Sequence, residues 1–264
     1  MGFLGMGNYA KPGPGISKNA PRKKRFFLFW ELLFRKFGKL VWLNILYILC
    51  CIPLVTIGPA TAGFTYVLRN FAREEHAFVT SDFFEHGFKK NWKQALVISL
   101  IDGLVIFLLV NTIYFYFQQM KQDSNLLYPI ALGISLVVCY IFLSMNYFVY
   151  ILMVTMDLKI RHLIKNSFIL GVLSLKTSFL TTLFLALTAL ILFLFFPITM
   201  IIILVIGFSF MGFIIVFNSY PYVQKYVINP ALGVAEDGNS SETTDGEETI
   251  FEDLGDEKDL KDDQ

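Results

Sequence analysis

The chain has 264 residues, 55% of them hydrophobic, with a mean hydropathy of +0.59 and a formal net charge of +1. A soluble globular chain is less apolar, roughly 45–50%; this composition excludes a soluble domain and predicts a polytopic α-helical membrane protein. The near-zero charge hides a split, because residues 236–263 hold thirteen acidic and two basic residues, a net −11, whereas the rest of the chain carries +12.

Residues 1–21 are rich in Gly and Pro, and with the basic run behind them predict an irregular arm over 1–25. Arg22, Lys23, Lys24 and Arg25 form that run. It serves as a topology signal that keeps this end cytoplasmic, and it suits anionic lipid. No cleavable leader pattern is visible, so the first long apolar run is expected to stay as an anchor. Phe26–Lys39 is amphipathic: Phe26, Trp30, Leu33, Phe34 and Phe37 share one helical face, with Glu31, Arg35 and Lys39 opposite. A basic helix with an aromatic face is expected to lie in the membrane interface.

Ile52-Pro-Leu-Val-Thr-Ile-Gly-Pro-Ala60 interrupts the apolar run from Leu40 to Leu68. Pro53 removes a backbone donor and disfavours helix at Ile52. Gly58-Pro59 is a second break, and Pro59 suits the first position of a new helix. Backbone groups freed inside lipid must find partners. Pro53, Gly58 and Pro59 therefore predict a structural hinge, either a turn at the outer membrane face or a kink within one span. The first span is expected over Leu40–Ile57. The second helix is expected over Pro59–Phe71, where Ala60, Ala62 and Gly63 allow close packing.

Ser81–Lys93 is again amphipathic, with Phe84, Phe88 and Trp92 at i, i+4, i+8 and with Lys89, Lys90 and Lys93 elsewhere. Ser81-Asp82 suits its cap. Spans are expected over Ala95–Phe117 and Tyr128–Met156, joined by a polar connection with the single basic residue Lys121. Asp157–Lys176 is a third basic amphipathic stretch, with a stripe of Ile160, Leu163, Ile164, Phe168, Val172 and Leu175. Thr177–Phe196 and Ile198–Tyr220 make a hairpin broken at Pro197. Residues 231–264 are acidic and poor in aromatics, and predict a disordered, solvating tail.

Basic residues orient the bundle. With the turn at Ile57–Pro59 outside, the clusters before Leu40, at 69–93 and at 159–176 all lie inside, and only Lys121 lies outside. The expected fold class is thus an all-α polytopic membrane helix bundle with basic amphipathic interfacial helices. It has about six membrane helices and both termini cytoplasmic, or five membrane helices if 40–68 is one kinked span. The membrane domain is expected over 26–225. A coarse repeat appears: a basic aromatic helix precedes a membrane hairpin three times, with Lys39, Lys93 and Lys176 just before each first span.

Chemical motifs are sparse. No phosphate-binding loop or nucleophile elbow is present. His76, His86 and His162 have no metal-site spacing, and Cys50, Cys51 and Cys139 sit in apolar runs as small core residues. No catalytic, cofactor-binding or metal residue is therefore expected, nor a nucleic-acid partner; the chain is expected not to be an enzyme. Asp102 is the one acidic residue inside a span. With Asn111 and Asn146 it forms the candidate intramembrane polar site. Asn44 and Asn218 are further buried polar groups, expected to make interhelical hydrogen bonds.

Two stretches carry a resemblance: Ile52-Pro-Leu-Val-Thr-Ile-Gly-Pro-Ala-Thr-Ala62 with Tyr66-Val-Leu-Arg-Asn-Phe-Ala-Arg-Glu-Glu75, and Asp82-Phe-Phe with Phe88-Lys-Lys-Asn-Trp-Lys-Gln94. Over roughly 20–225 the chain resembles the YesL family of bacterial integral membrane proteins, a domain of unknown function. The resemblance implies a bacterial plasma-membrane protein and an accessory or regulatory role in carbohydrate ABC import. Its implied partners are the lipid bilayer and importer permease or sensor subunits. It carries no catalytic residues across. The Glu-Ala-Ala…Gly loop by which import permeases dock their ATPase is absent, so the chain is not expected to be a standard permease subunit. The alternative functional reading is an independent small-solute transporter or channel built on Asp102; a third is a receptor or scaffold using the acidic tail.

Overall fold

The computed structural model describes residues 24–123 and 125–231. Arg22, Lys23 and the arm before them lie outside the described residues, as does the tail from 232. Among the described residues all regular structure is helical. Four helices are long and apolar enough to cross a membrane: α5 (Trp92–Gln122), α6 (Leu127–Thr155), α8 (Leu175–Leu194) and the continuous stretch Thr199–Ala231. The last comprises α9 (Thr199–Ile202), a π turn (Ile203–Gly207), α10 (Phe208–Val223), a second π turn (Gln224–Ile228) and α11 (Asn229–Ala231). The expected membrane helix bundle is what the chain forms.

The Pro53 hinge divides the first apolar run. α2 runs Phe37–Cys51 and α3 runs Ile57–Ala72. Between them Pro53 is extended (φ −77°, ψ 119°), and Leu54–Thr56 make one 3-10 turn. Thr56 Oγ1 closes the turn, 2.6 Å from the Cys50 carbonyl and 2.7 Å from that of Pro53. The two helices pack on each other: the Tyr47 ring lies 4.5 Å from the Phe64 ring, and its hydroxyl lies 3.3 Å from Thr61 Oγ1. Residues 40–68 are therefore not one kinked helix.

Two expected boundaries move. α2 stops at Cys51 rather than Ile57, because Pro53 cannot continue the hydrogen-bond ladder. α3 starts at Ile57, which places Pro59 inside its first turn, where amide groups have no intrahelical partner anyway. At 15 and 16 residues, α2 and α3 are about 22 and 24 Å long. Both are shorter than a ~30 Å hydrocarbon core.

Three units follow one plan. In each, an amphipathic helix leads through a single bridge-region residue into an outer helix and then an inner one. The amphipathic helices are α1 (Arg25–Arg35), α4 (Val79–Phe84, continued by a π turn over Glu85–Lys90) and α7 (Ile160–Leu173). The junction residues share one conformation: Lys36 (φ −106°, ψ 13°), Asn91 (−107°, 5°) and Ser174 (−98°, 13°). The outer helices are α2, α5 and α8; the inner ones are α3, α6 and α10. The inner helices contact one another, and each outer helix packs on its own inner helix and on that of the preceding unit, α2 closing on the α9–α10 stretch. Each amphipathic helix packs on the preceding inner helix too. α4 lies on α3 and α7 on α6, while Phe29 of α1 stacks on Phe213 at 5.3 Å and meets Phe217 at 5.4 Å.

Side-chain positions repeat with the plan. Four residues past each junction Leu40, Ala95 and Ser178 are buried, and seven past it Leu43, Ile98 and Thr181 are buried. Eight past it Asn44, Ser99 and Thr182 meet the preceding inner helix. Asn44 reaches the carbonyls of Ile203 and Leu204, Ser99 lies against Gly58, and Thr182 pairs with the Tyr147 hydroxyl at 2.8 Å.

The amphipathic faces differ from expectation. In α1 Leu32 and Leu33 are buried, whereas Phe26 and Phe34 are each 68% exposed. In the second helix Phe83 is buried in place of Phe84, and the start lies at Val79, where the Asp82 carboxylate accepts from the Phe78 amide at 2.9 Å. In α7 the buried line is Leu163, Ser167, Leu170 and Gly171, while Phe168 and Val172 face outward. The reason is common to all three. In lipid, large apolar groups are satisfied outside the protein, and small residues let helix backbones approach.

Candidate functional site

Asp102 lies on α5, eleven residues past the Asn91 junction, on the face turned toward α6. Only 9% of its surface is exposed. The Asn146 amide of α6 lies beside its carboxylate. The same amide nitrogen donates along its own helix to the Phe142 carbonyl at 3.2 Å. Tyr150, one turn further along α6, stands beside the pair. The α5–α6 hairpin thus brings two of the three predicted polar residues together. Asn111 is apart: it is exposed on α5, and its amide donates to its own Phe107 carbonyl at 2.7 Å. The expected three-residue cluster is therefore corrected to Asp102, Asn146 and Tyr150, because Asn111 satisfies itself along its helix.

A cleft of about 370 Å³ opens on Asp102. Its walls are the turn at Leu54–Ile57, the α5 face from Leu96 to Ile106, and Tyr150. Leu54 and Val55 on its wall are largely exposed. The hinge residues shape this side of the molecule. Pro53 starts the turn, and Gly58 brings α3 against the backbone of Ala95 so closely that no Cβ fits. Pro59 accompanies it in the same first turn.

A second constellation escaped sequence reading. Arg69, counted there only as part of a basic cluster, is 8% exposed. Its Nη1 donates to the Val154 carbonyl at 2.8 Å and to Thr155 Oγ1 at 3.3 Å, which satisfies the end of α6. Its Nη2 donates to Asn70 Oδ1 at 2.9 Å, and the guanidinium lies 4.5 Å from the Tyr66 ring centre. On the other face of Tyr66 the His86 ring is stacked at 3.4 Å. Burial, with Lys90 nearby, holds the His86 imidazole below its ordinary value. The only sequence signal for this group is the i, i+3 spacing of Tyr66 and Arg69 on one helix.

The predicted interfacial cations are surface groups. Lys24, Arg25, Lys89, Lys90 and Lys93 are all exposed. Lys90 pairs with Glu85 at 3.2 Å, and Lys93 lies 5.6 Å from the Trp92 ring. Among the described residues no group of three His, Cys, Asp or Glu is placed to hold a metal ion.

Residues 40–113 match the family described as "Protein of unknown function, DUF624". That segment carries α2, the hinge, α3, α4 and most of α5, including Asn44, Arg69 and Asp102. The chain is also similar to the uncharacterized protein YesL of Bacillus subtilis (strain 168). The two are 27% identical over 136 residues, which is 50% of this chain and 62% of YesL. The chain is YesL-like. The match thus spans about three-fifths of that relative's length. No solved structure matches the chain.

Proposed function

We propose that this YesL-like chain is an accessory or regulatory component associated with carbohydrate ABC import. In this reading it lies in a bacterial plasma membrane with both termini cytoplasmic and catalyses no reaction. The observation that carries it is the packing at the centre. The inner helices α3, α6 and α10 meet through side chains such as Phe64, Leu68, Phe148 and Phe213, all buried. A solute path needs a polar, water-lined route, whereas the side chains named here are apolar. Transport by this chain alone is therefore the weaker reading. The amphipathic helices α1, α4 and α7 supply surfaces for lipid headgroups and for a partner, and Lys89, Lys90 and Lys93, around the junction from the second of them into α5, are exposed. The carbohydrate importer as partner rests on the family resemblance.

Co-purification tests this. The tagged full-length chain, extracted from native membranes in mild detergent, is expected to retain importer permease or sensor subunits in stoichiometric amount. Replacing Lys89, Lys90 and Lys93 together with Glu should lower that recovery about tenfold or more, as expected when like charges replace attraction at an interface rim. Recovery of the chain alone, unchanged by dilution and competent for solute flux in liposomes, would contradict the reading.

A further inference from the structure

The Asp102 cleft holds an arrangement that structural packing does not explain. Asp102 is nine-tenths buried and lines a cleft at membrane depth. Among the described residues no Lys, Arg or His lies within ion-pair distance of it. The Asn146 amide beside it is neutral. A carboxylate in such a place is costly unless something meets it, and its open side faces the cleft.

The walls define what could meet it. Leu54, Val55, Ile57, Leu96, Leu100 and Ile106 are apolar, and only Ser99, Asp102 and Tyr150 bring polar groups. The Ser99 hydroxyl is already committed to the Leu96 carbonyl at 3.0 Å. A bare divalent cation needs about six oxygen ligands, which one carboxylate and two hydroxyls do not supply. A free sugar needs polar groups on every side, and these walls would leave its hydroxyls unpaired. A volume of about 370 Å³ is that of a small organic ligand's pocket rather than of an ion site. The mouth, between the exposed Leu54–Val55 turn and the outward face of α5, opens where lipid chains would lie.

We propose that this cleft is a binding site, entered sideways from the bilayer, for an amphiphile with a cationic amine head and an apolar body. The ammonium pairs with Asp102 on the side of the cleft that Tyr150 lines. The apolar body lies along Leu100, Gly103 and Ile106 and emerges past Leu54. The site is independent of any importer partner, so it stands or falls separately from the accessory role.

The test uses the full chain in phosphatidylcholine nanodiscs with three probes of equal chain length: decylamine, decanol and decanoate. Saturating decylamine should raise the melting temperature by about 5 °C, and the other two should leave it unchanged. Two variants should lose the response. Asp102→Asn removes the charge at constant shape. Gly103→Phe fills the cleft, and a side chain there meets nothing within 4 Å at its Cβ. Asn111→Ala, on the same helix but outside the cleft, should keep the response. An equal shift from decanol, no shift from decylamine in the unmodified chain, or a full shift in Asp102→Asn would overturn the proposal.

Discussion

Asn44→Leu should lower the melting temperature by about 10 °C, although it keeps the number and branching of side-chain heavy atoms. Asn44 is fully buried on α2 and meets the π turn at Ile203–Gly207. A π turn shifts the ladder register and leaves backbone groups seeking partners. This one side chain serves three of them: Nδ2 donates to the Ile203 carbonyl at 3.1 Å and the Leu204 carbonyl at 2.8 Å, and Oδ1 accepts from the Ser209 amide at 2.9 Å. Leucine fills the space but pairs with none. At about 1 kcal/mol for each unpaired group the loss is about 3 kcal/mol. In a domain of this size each kcal/mol moves the midpoint by roughly 2–4 °C. Asn44→Asp should fare no better, because a carboxylate cannot donate to carbonyls. Thermal unfolding in detergent, followed by circular dichroism, checks both; a shift under about 2 °C would show that the π turn holds itself.

Gly63→Ala should cost at least as much. A Cβ at Gly63 would sit against the Phe83 carbonyl oxygen, well inside contact distance, and one at Gly87 would sit against the Pro59 carbonyl oxygen and 3.0 Å from the Gly63 amide nitrogen. Here α3 and the α4 helix with its π turn touch backbone to backbone. A backbone atom cannot rotate aside as a side chain can, so one methyl forces the helices apart. Overpacking a core usually costs about 1–3 kcal/mol; a rigid obstacle places Gly63→Ala at or above the top of that range, about 3 kcal/mol. Because α4 also carries the Asn91 junction into α5, the displacement should reach the cleft. Gly133→Ala is the control, since its Cβ would meet nothing within 4 Å. It should be neutral or gain up to about 1 kcal/mol of helix propensity. The check is the yield of folded monomer in detergent with its melting temperature. Equal behaviour of Gly63→Ala and Gly133→Ala would deny the close contact.

Hydropathy and proline positions made most of the architecture legible. They separated α5 from α6 and α8 from the stretch after it, and they placed the break at Pro53. The threefold order of amphipathic helix and hairpin was visible as a coarse pattern. Its physical basis, the shared conformation of Lys36, Asn91 and Ser174, was not, because three different residue types adopt it. Helix faces were the least legible feature. Hydrophobic periodicity points to the core when the solvent is water; in lipid, Phe26, Phe34 and Phe168 lose nothing by facing out. The packed seams are marked by Gly63, which small-residue spacing had indicated, and by Gly87, Ser167 and Gly171, which hydrophobic patterning passes over.

The candidate site shows the same limit. Asp102 was legible from its type and depth alone. Its pairing with Asn146 rather than Asn111 depends on the register of the α5–α6 hairpin, which a polar connection of unspecified shape leaves open. Arg69 was legible as a charge, not as the group that ends α6. The π turns left no mark that sequence periodicity could distinguish from a continuous α-helix.

The most direct test of the account is the sidedness of its three units. Single cysteines at Arg35, Lys90 and Lys165, placed in a chain whose Cys50, Cys51 and Cys139 are replaced by Ala, are treated with a membrane-impermeant maleimide in intact cells and again after permeabilisation. The account predicts that all three react only after permeabilisation and that a cysteine at Lys121 reacts in intact cells. Labelling of Lys90→Cys or Lys165→Cys in intact cells, with Arg35→Cys protected, would contradict it, because the amphipathic helices would then not share one face of the membrane.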